Sequence, residues 1–262
     1  MPPALRFGMP RDRLDPLRAI IAQLFGNGEQ GAMYIPQPQL HGQQVLYQDA
    51  AGTVPVTADG DPVGRNDDVS GNGNFATQSV SANRPLYQTD GGLHWLAFDR
   101  AGDHLVLPTG LASGPEAFFC GYAEPLDFAG QQNFFEFSSS DGLNGIRALG
   151  FNGKYTFQGG GGGGIRTSVT SPSVPKAVLT GYITGNVLYG RVNGVDIGSA
   201  SVPSYAPNTG ASYVGASLSS SGVMRNFASG KIGGLVQTNY VPSMRTIEQV
   251  EAYMAKLGGI TL

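Results

Sequence analysis

Lys176-Ala-Val-Leu-Thr-Gly-Tyr-Ile-Thr-Gly-Asn-Val-Leu-Tyr-Gly-Arg-Val-Asn-Gly-Val-Asp-Ile197 is the stretch that decides the fold. Short β-rich runs are cut at Thr184-Gly185-Asn186 and again at Asn193-Gly194. Asn-Gly supplies two residues that tolerate positive φ, which suits a tight hairpin turn. Downstream, Ser212-Tyr213-Val214-Gly215 and Phe227 to Val236 read as two more strands. A capped amphipathic helix closes the chain. Thr246 and Gln249 have capping-box spacing, Ile247, Val250, Met254 and Leu257 form an apolar stripe, and Gly258 can stop it.

Working outward, the bulk composition agrees. The 262 residues suffice for one large β-sandwich or two small domains. With 40 Gly and 17 Pro, and only 13% charged residues, the chain suits many short strands and turns. The net charge is −3 and no basic block exists, which argues against nucleic-acid binding. Cys120, the single cysteine, sits in Phe118-Phe119-Cys120-Gly121-Tyr122 and reads as a buried thiol. Lack of a disulfide framework favours assembly in a reducing cytoplasm. No secretory signal is recognisable, and no run reaches the roughly 20 apolar residues of a membrane span.

The first 31 residues read as a separate arm, ahead of a sandwich over 32–262. Asp15 can cap a helix and Pro16 suits its first turn. Leu17, Ile20, Ile21, Leu24 and Phe25 follow helical spacing up to Gly26. A helix of about ten residues is marginal alone in water, so it must pack on something. Two readings stand: it packs on its own sandwich, or those five residues dock a partner subunit. Strand patterns begin at Leu93–Phe98 and continue at His104–Leu107, Ala117–Tyr122 and Asn133–Ser138. A hairpin is expected about Asn152-Gly153. The six glycines Gly159–Gly164 read as a mobile loop, with close approach of another backbone or ligand as the lesser reading.

The order of the C-terminal elements resembles the end of a concanavalin A-like (laminin-G-like) jelly roll. The first half is more specific. Gln30–Tyr34, Leu46–Thr57, Asp61–Gly64, Ser70-Gly-Asn-Gly-Asn-Phe-Ala-Thr-Gln78, Asn83-Arg84-Pro85 and Phe98-Asp99 resemble a block of bacteriophage and prophage virion proteins carrying such a domain. The likeness covers roughly residues 25–108 and departs at Met33-Tyr34-Ile35-Pro36-Gln37, Val69-Ser70-Gly71 and Arg100. It implies an all-β jelly-roll sandwich with short terminal helices. It also implies a structural virion component, in a tail, fibre or baseplate, displaying a lectin-like sandwich for adhesion. Implied partners are other virion proteins, copies of the chain itself and a host cell-surface glycan, with no membrane and no nucleic acid. Assembly would be in the host cytoplasm. A capsid decoration protein, a free carbohydrate-binding module and a glycan hydrolase are the alternatives.

Catalytic chemistry finds little support. Retaining glucanases of this fold resemble one another in a Glu-x-Asp-x-x-Glu strand, whose alternate carboxylates share one face. The nearest region, Phe134 to Asp141, has Glu136 alone; Glu116 and Glu124 are isolated too. Gly215-Ala216-Ser217-Leu218-Ser219 lacks the last glycine of a nucleophile elbow. His41, His94 and His104 share no ligand spacing, so no catalytic residue, cofactor or zinc site is expected. Asp59, Asp61, Asp67 and Asp68 cluster in sequence and are the candidate calcium ligands, although Asp-Gly is also ordinary turn chemistry. Trp95, the only tryptophan, lies in an alternating strand and reads as core. Tyr34, Tyr87, Tyr205 and Tyr240 are the other candidate sugar-contacting aromatics.

Overall fold

The computed structural model describes residues 15–139, 144–161 and 166–262. Among them the chain forms two packed antiparallel sheets, of eight and nine strands. The expected all-β jelly-roll sandwich is what the chain adopts. Across the first sheet the order is Val195–Ser201, Val187–Val192, Ala177–Thr184, Ala117–Pro125, Ser229–Thr238, His94–Asp99 and Leu86–Thr89, with Gly31–Tyr34 also on Ser229–Thr238. Arg166–Thr170, Lys154–Gly160, Asn144–Phe151, Gln132–Ser139, Ser212–Val214 and Leu105–Leu107 lead the second, and three two-residue strands complete it.

Both sequence-predicted Asn-Gly hairpins form. Asn152 and Gly153 have φ of 49° and 77°, and Asn193 and Gly194 have 50° and 77°. Two successive positive φ values match the twist of the strands they join. Gly185-Asn186 turns the preceding hairpin in the same way, with φ of 55° and 60°.

The inter-sheet core is aromatic. Phe119, Phe135, Phe137 and Phe157 pack ring to ring, with centroids 5.6–6.1 Å from Phe119. Room for them comes from glycine. A Cβ on Gly121 would lie 2.6 Å from the Phe135 ring, and one on Gly181 2.6 Å from Phe119. Any side chain at either position would force the sheets apart, at a cost of about 1–3 kcal/mol.

A second apolar layer lies on the outer face of the first sheet. Here α1 (Pro16–Phe25) and α2 (Met244–Leu257) cover Met33, Phe118, Cys120, Val178 and Val236. Because both its faces are covered, Ala117–Ala123 is an unbroken apolar run instead of an alternating one. Burial raises the Cys120 thiol far above its ordinary range, so it stays protonated.

α1 has the expected cap: Asp15 accepts the Leu17 N–H at 3.0 Å, and Pro16 opens the first turn. For α2 the cap moves. Ser243, not Thr246, accepts the Thr246 N–H at 3.2 Å, so the helix starts three residues before its apolar stripe. The apolar side of α1 packs on the sandwich. Leu17, Ile20, Leu24 and Phe25 are buried in the layer shared with α2, and Gly31–Tyr34 is a sheet strand.

The glycine run divides. Gly159 and Gly160 are strand residues, paired with Thr167 and Arg166. A Cβ on Gly159 would touch Ile183 and Val202 at 2.9–3.0 Å, and one on Gly161 would sit 2.2 Å from the Pro203 carbonyl. At Gly159 and Gly161 the glycines allow close approach of other chain segments, and Gly159 and Gly160 are strand rather than the expected loop. Gly162–Gly164 lie outside the described residues.

Candidate functional site

α2 ends at Leu257, capped by Gly258, and leaves part of the first sheet's outer face uncovered. Strand alternation decides which side chains stand there. Leu96 and Phe98 turn into the inter-sheet core, so Trp95 and Ala97 turn out. Leu86 and Gln88 do the same on the edge strand, paired with Ala97 and Trp95. Lys231 and Glu124 follow in the row of Ala97. Trp95 is therefore a half-buried surface residue and not the core residue its strand pattern suggested.

The patch has defined geometry. Trp95 donates its indole N–H to Gln88 Oε1 at 3.1 Å, which holds the ring down along the sheet. Lys231 Nζ lies 4.6 Å from the Trp95 ring centroid and 3.6 Å from Glu124 Oε1. Tyr122 donates its hydroxyl to Glu124 Oε2, and burial together with that carboxylate raises the phenol above its usual range. Gly233 makes room for the Tyr122 ring, since a Cβ there would lie 2.7 Å away. Asp90 accepts the Gly92 and Leu93 N–H groups; these bonds, then the Lys231 charge, hold its carboxyl below the usual range. Leu86, in the row of Ala97, is 40% exposed. The result is an aromatic ring with an ammonium over it, flanked by carboxylates and an amide. Such a surface suits a ligand that has both apolar and hydroxyl-rich faces.

The remaining candidate aromatics do not form a second platform. Tyr34 and Tyr87 are buried in the core. Tyr205 and Tyr240 are half-buried, and the Tyr240 hydroxyl is committed to the Leu24 carbonyl at 2.7 Å.

The four candidate calcium ligands are spent on local structure. Asp59 accepts the Thr89 N–H at 2.8 Å, and Asp61 those of Thr57 and Ala58 at 2.8 and 2.9 Å. Asp67 pairs with Arg65 at 2.5 Å. Asp68 is buried and accepts from Met33 N, Ser70 N, Ser70 Oγ and Asn74 N, at 2.8–3.0 Å. Among the described residues, no three His, Cys, Asp or Glu side chains are placed to share a metal ion. Asn72 and Asn74 both donate to the Gly31 carbonyl. The polar residues of the Ser70–Gln78 block thus lock Gly31–Tyr34 in place, a role their sequence did not reveal.

Of the five candidate docking residues, four face inward and only Ile21 is half-buried. What α1 still offers outside is its other side. With α2 it bounds an apolar groove of about 300 Å³, lined by Pro16, Ala19, Gln23, Ala252 and Tyr253.

Glu136 is fully buried on the opposite sheet. It accepts from Arg147 Nη1 at 3.3 Å and from Asn133 and Ser138, and burial raises its carboxyl despite the Arg147 charge. None of these partners is a second carboxylate. His104 is buried with Nδ1 2.8 Å from the Gly102 carbonyl, and His94 Nδ1 is 2.7 Å from the Tyr87 hydroxyl. Burial lowers both imidazoles.

Asp99 and Asp103 form a second acidic turn, in which Asp103 Oδ2 accepts the Asp99 N–H at 3.1 Å. Burial, then the Asp99 charge, lifts Asp103 from 3.8 to about 7. The folded chain holds a proton that the unfolded chain releases above about pH 4. This contribution to stability is full below that pH and is lost as pH rises towards 7. Asp103→Asn is expected to gain stability relative to the parent between pH 4 and 7.5, measured as urea midpoints. Parallel pH profiles would mean that Asp103 titrates normally.

No family model and no curated protein matches the sequence. Solved structures do match in fold. The chain is similar to the botulinum neurotoxin serotype D binding domain, with a TM-score of 0.59 and 10% identity over 91% of this chain and 53% of that one. A structure of the serotype D ligand binding domain in complex with N-acetylneuraminic acid gives 0.57 and 10%, over 91% and 53%. The binding domain of Paraclostridial Mosquitocidal Protein 1 gives 0.53 and 10%, over 74% and 51%. The chain spans about half the length of each of these domains, and the likeness is one of fold.

Proposed function

We propose that the chain is a non-catalytic, glycan-binding sandwich that serves as the attachment domain of a bacteriophage particle. The observation that carries glycan binding is Trp95, turned out of the core beside Lys231 and Glu124. The neighbours in fold are described as binding domains, one of them holding N-acetylneuraminic acid, and this supports the reading. Placement in a tail, fibre or baseplate rests on the likeness of residues 25–108 to virion proteins. In that role the chain assembles in the host cytoplasm, several copies to a particle. The groove between α1 and α2 meets another virion protein.

Trp95→Ala is expected to weaken oligosaccharide binding by at least about 30-fold, the loss of one anchor worth about 2 kcal/mol. Calorimetric titration reads this, and an unchanged urea midpoint shows that the fold is intact. Unaltered affinity in the variant would move the site elsewhere. Gold-labelled antibody on particles separates the virion readings. Tails should carry the label; heads alone would make the chain a decoration, and bare particles would leave a free carbohydrate-binding module.

A further inference from the structure

The charges around Trp95 select among glycans, an inference that rests on the reading of this face as a sugar platform. Lys231 is the cation over the ring, and its charge is already engaged. Glu124 Oε1 is 3.6 Å from Nζ. An acidic sugar would have to draw Lys231 away from Glu124 and hold its own carboxylate beside that of Glu124. Like charges so placed repel, and more so at low salt.

A neutral pyranose meets no such obstacle. An ammonium carries only donors and a carboxylate only acceptors, whereas each sugar hydroxyl does both. Lys231 and Glu124 side by side therefore match two neighbouring hydroxyls. The C–H face of the ring stacks on Trp95 and extends over Leu86, which is 40% exposed. To admit it, the Lys231 ammonium moves from over the indole towards Glu124, where its charge stays paired. We infer that this face takes a neutral hexose polymer with vicinal hydroxyls and discriminates against sialylated or uronic-acid glycans.

Trp95 is the single tryptophan, so its emission reports occupancy of the site without a label. The intact chain is titrated at low salt with neutral hexaoses (maltohexaose, cellohexaose) and with N-acetylneuraminic acid and hexagalacturonate. A neutral hexaose should shift the emission with an affinity at least tenfold above either acid. The Glu124→Gln variant keeps the Tyr122 bond and should improve acid binding at least tenfold. Equal or tighter acid binding by the parent, with the emission still responding, would overturn the selectivity and leave the sugar platform standing. Silence of the emission towards all four probes would overturn both.

Discussion

Glu251→Ala lowers the stability of the chain by about 3–5 kcal/mol, the cost of removing one partner from a buried ion pair. The carboxylate, 1% exposed, projects from α2 into a fork formed by Arg191 Nε at 2.9 Å and Nη2 at 3.1 Å. Arg191, 6% exposed, also binds Asp196 at 2.7 Å and the Gly194 carbonyl at 2.6 Å. Alanine leaves a guanidinium under the helix with one end unanswered. Urea unfolding should show a lower midpoint with little change in slope, because the buried area is unchanged. The companion double variant Arg191→Met, Glu251→Met should cost far less, since neither charge is stranded. If Glu251→Ala costs under about 1 kcal/mol, water must reach the pair and α2 must be held by its apolar stripe alone.

Glu136→Gln is expected to cost about 3 kcal/mol by the same mechanism and to leave sugar binding unchanged. Glu136 is in register with Arg147 on one neighbour strand and with Tyr213 on the other. Arg147 is 2% exposed and divides its donors between Glu136 and Gln158, the latter at 2.6 and 2.9 Å. Glutamine keeps the shape and the acceptor but removes the countercharge. A carboxylate this enclosed holds its own sheet together and has no face free for a sugar. A variant that kept its stability yet lost measurable release of reducing ends would reverse this, and would make Glu136 a catalytic group of the hydrolase alternative.

Asn152-Gly153, Gly185-Asn186 and Asn193-Gly194 were legible because turn chemistry is a property of the two residues themselves. So were the strands from Ala117 and Asn133, and the apolar stripes of α1 and α2, because periodicity is local. The site was not. Leu93-His94-Trp95-Leu96-Ala97-Phe98 carries apolar residues at both parities, so alternation cannot say which set turns inward. Leu96 and Phe98 go inside because the second sheet packs on them, and Trp95 stays outside because α2 stops at Leu257, short of its strand. Asp59, Asp61, Asp67 and Asp68 are near in sequence, yet each is claimed by a different backbone or side-chain partner. The cap is Ser243 because the helix begins at Met244, a turn ahead of the apolar stripe that starts at Ile247.

The hairpins and the two helices follow from φ preferences and periodicity within a few residues, whereas the single β-sandwich was implied by the resemblance to concanavalin A-like domains. Only the tertiary structure decided that Trp95 faces solvent, that Glu136 does not, and that the first glycines of the run are strand. Burial depends on which distant segment covers a residue, and no local pattern records that.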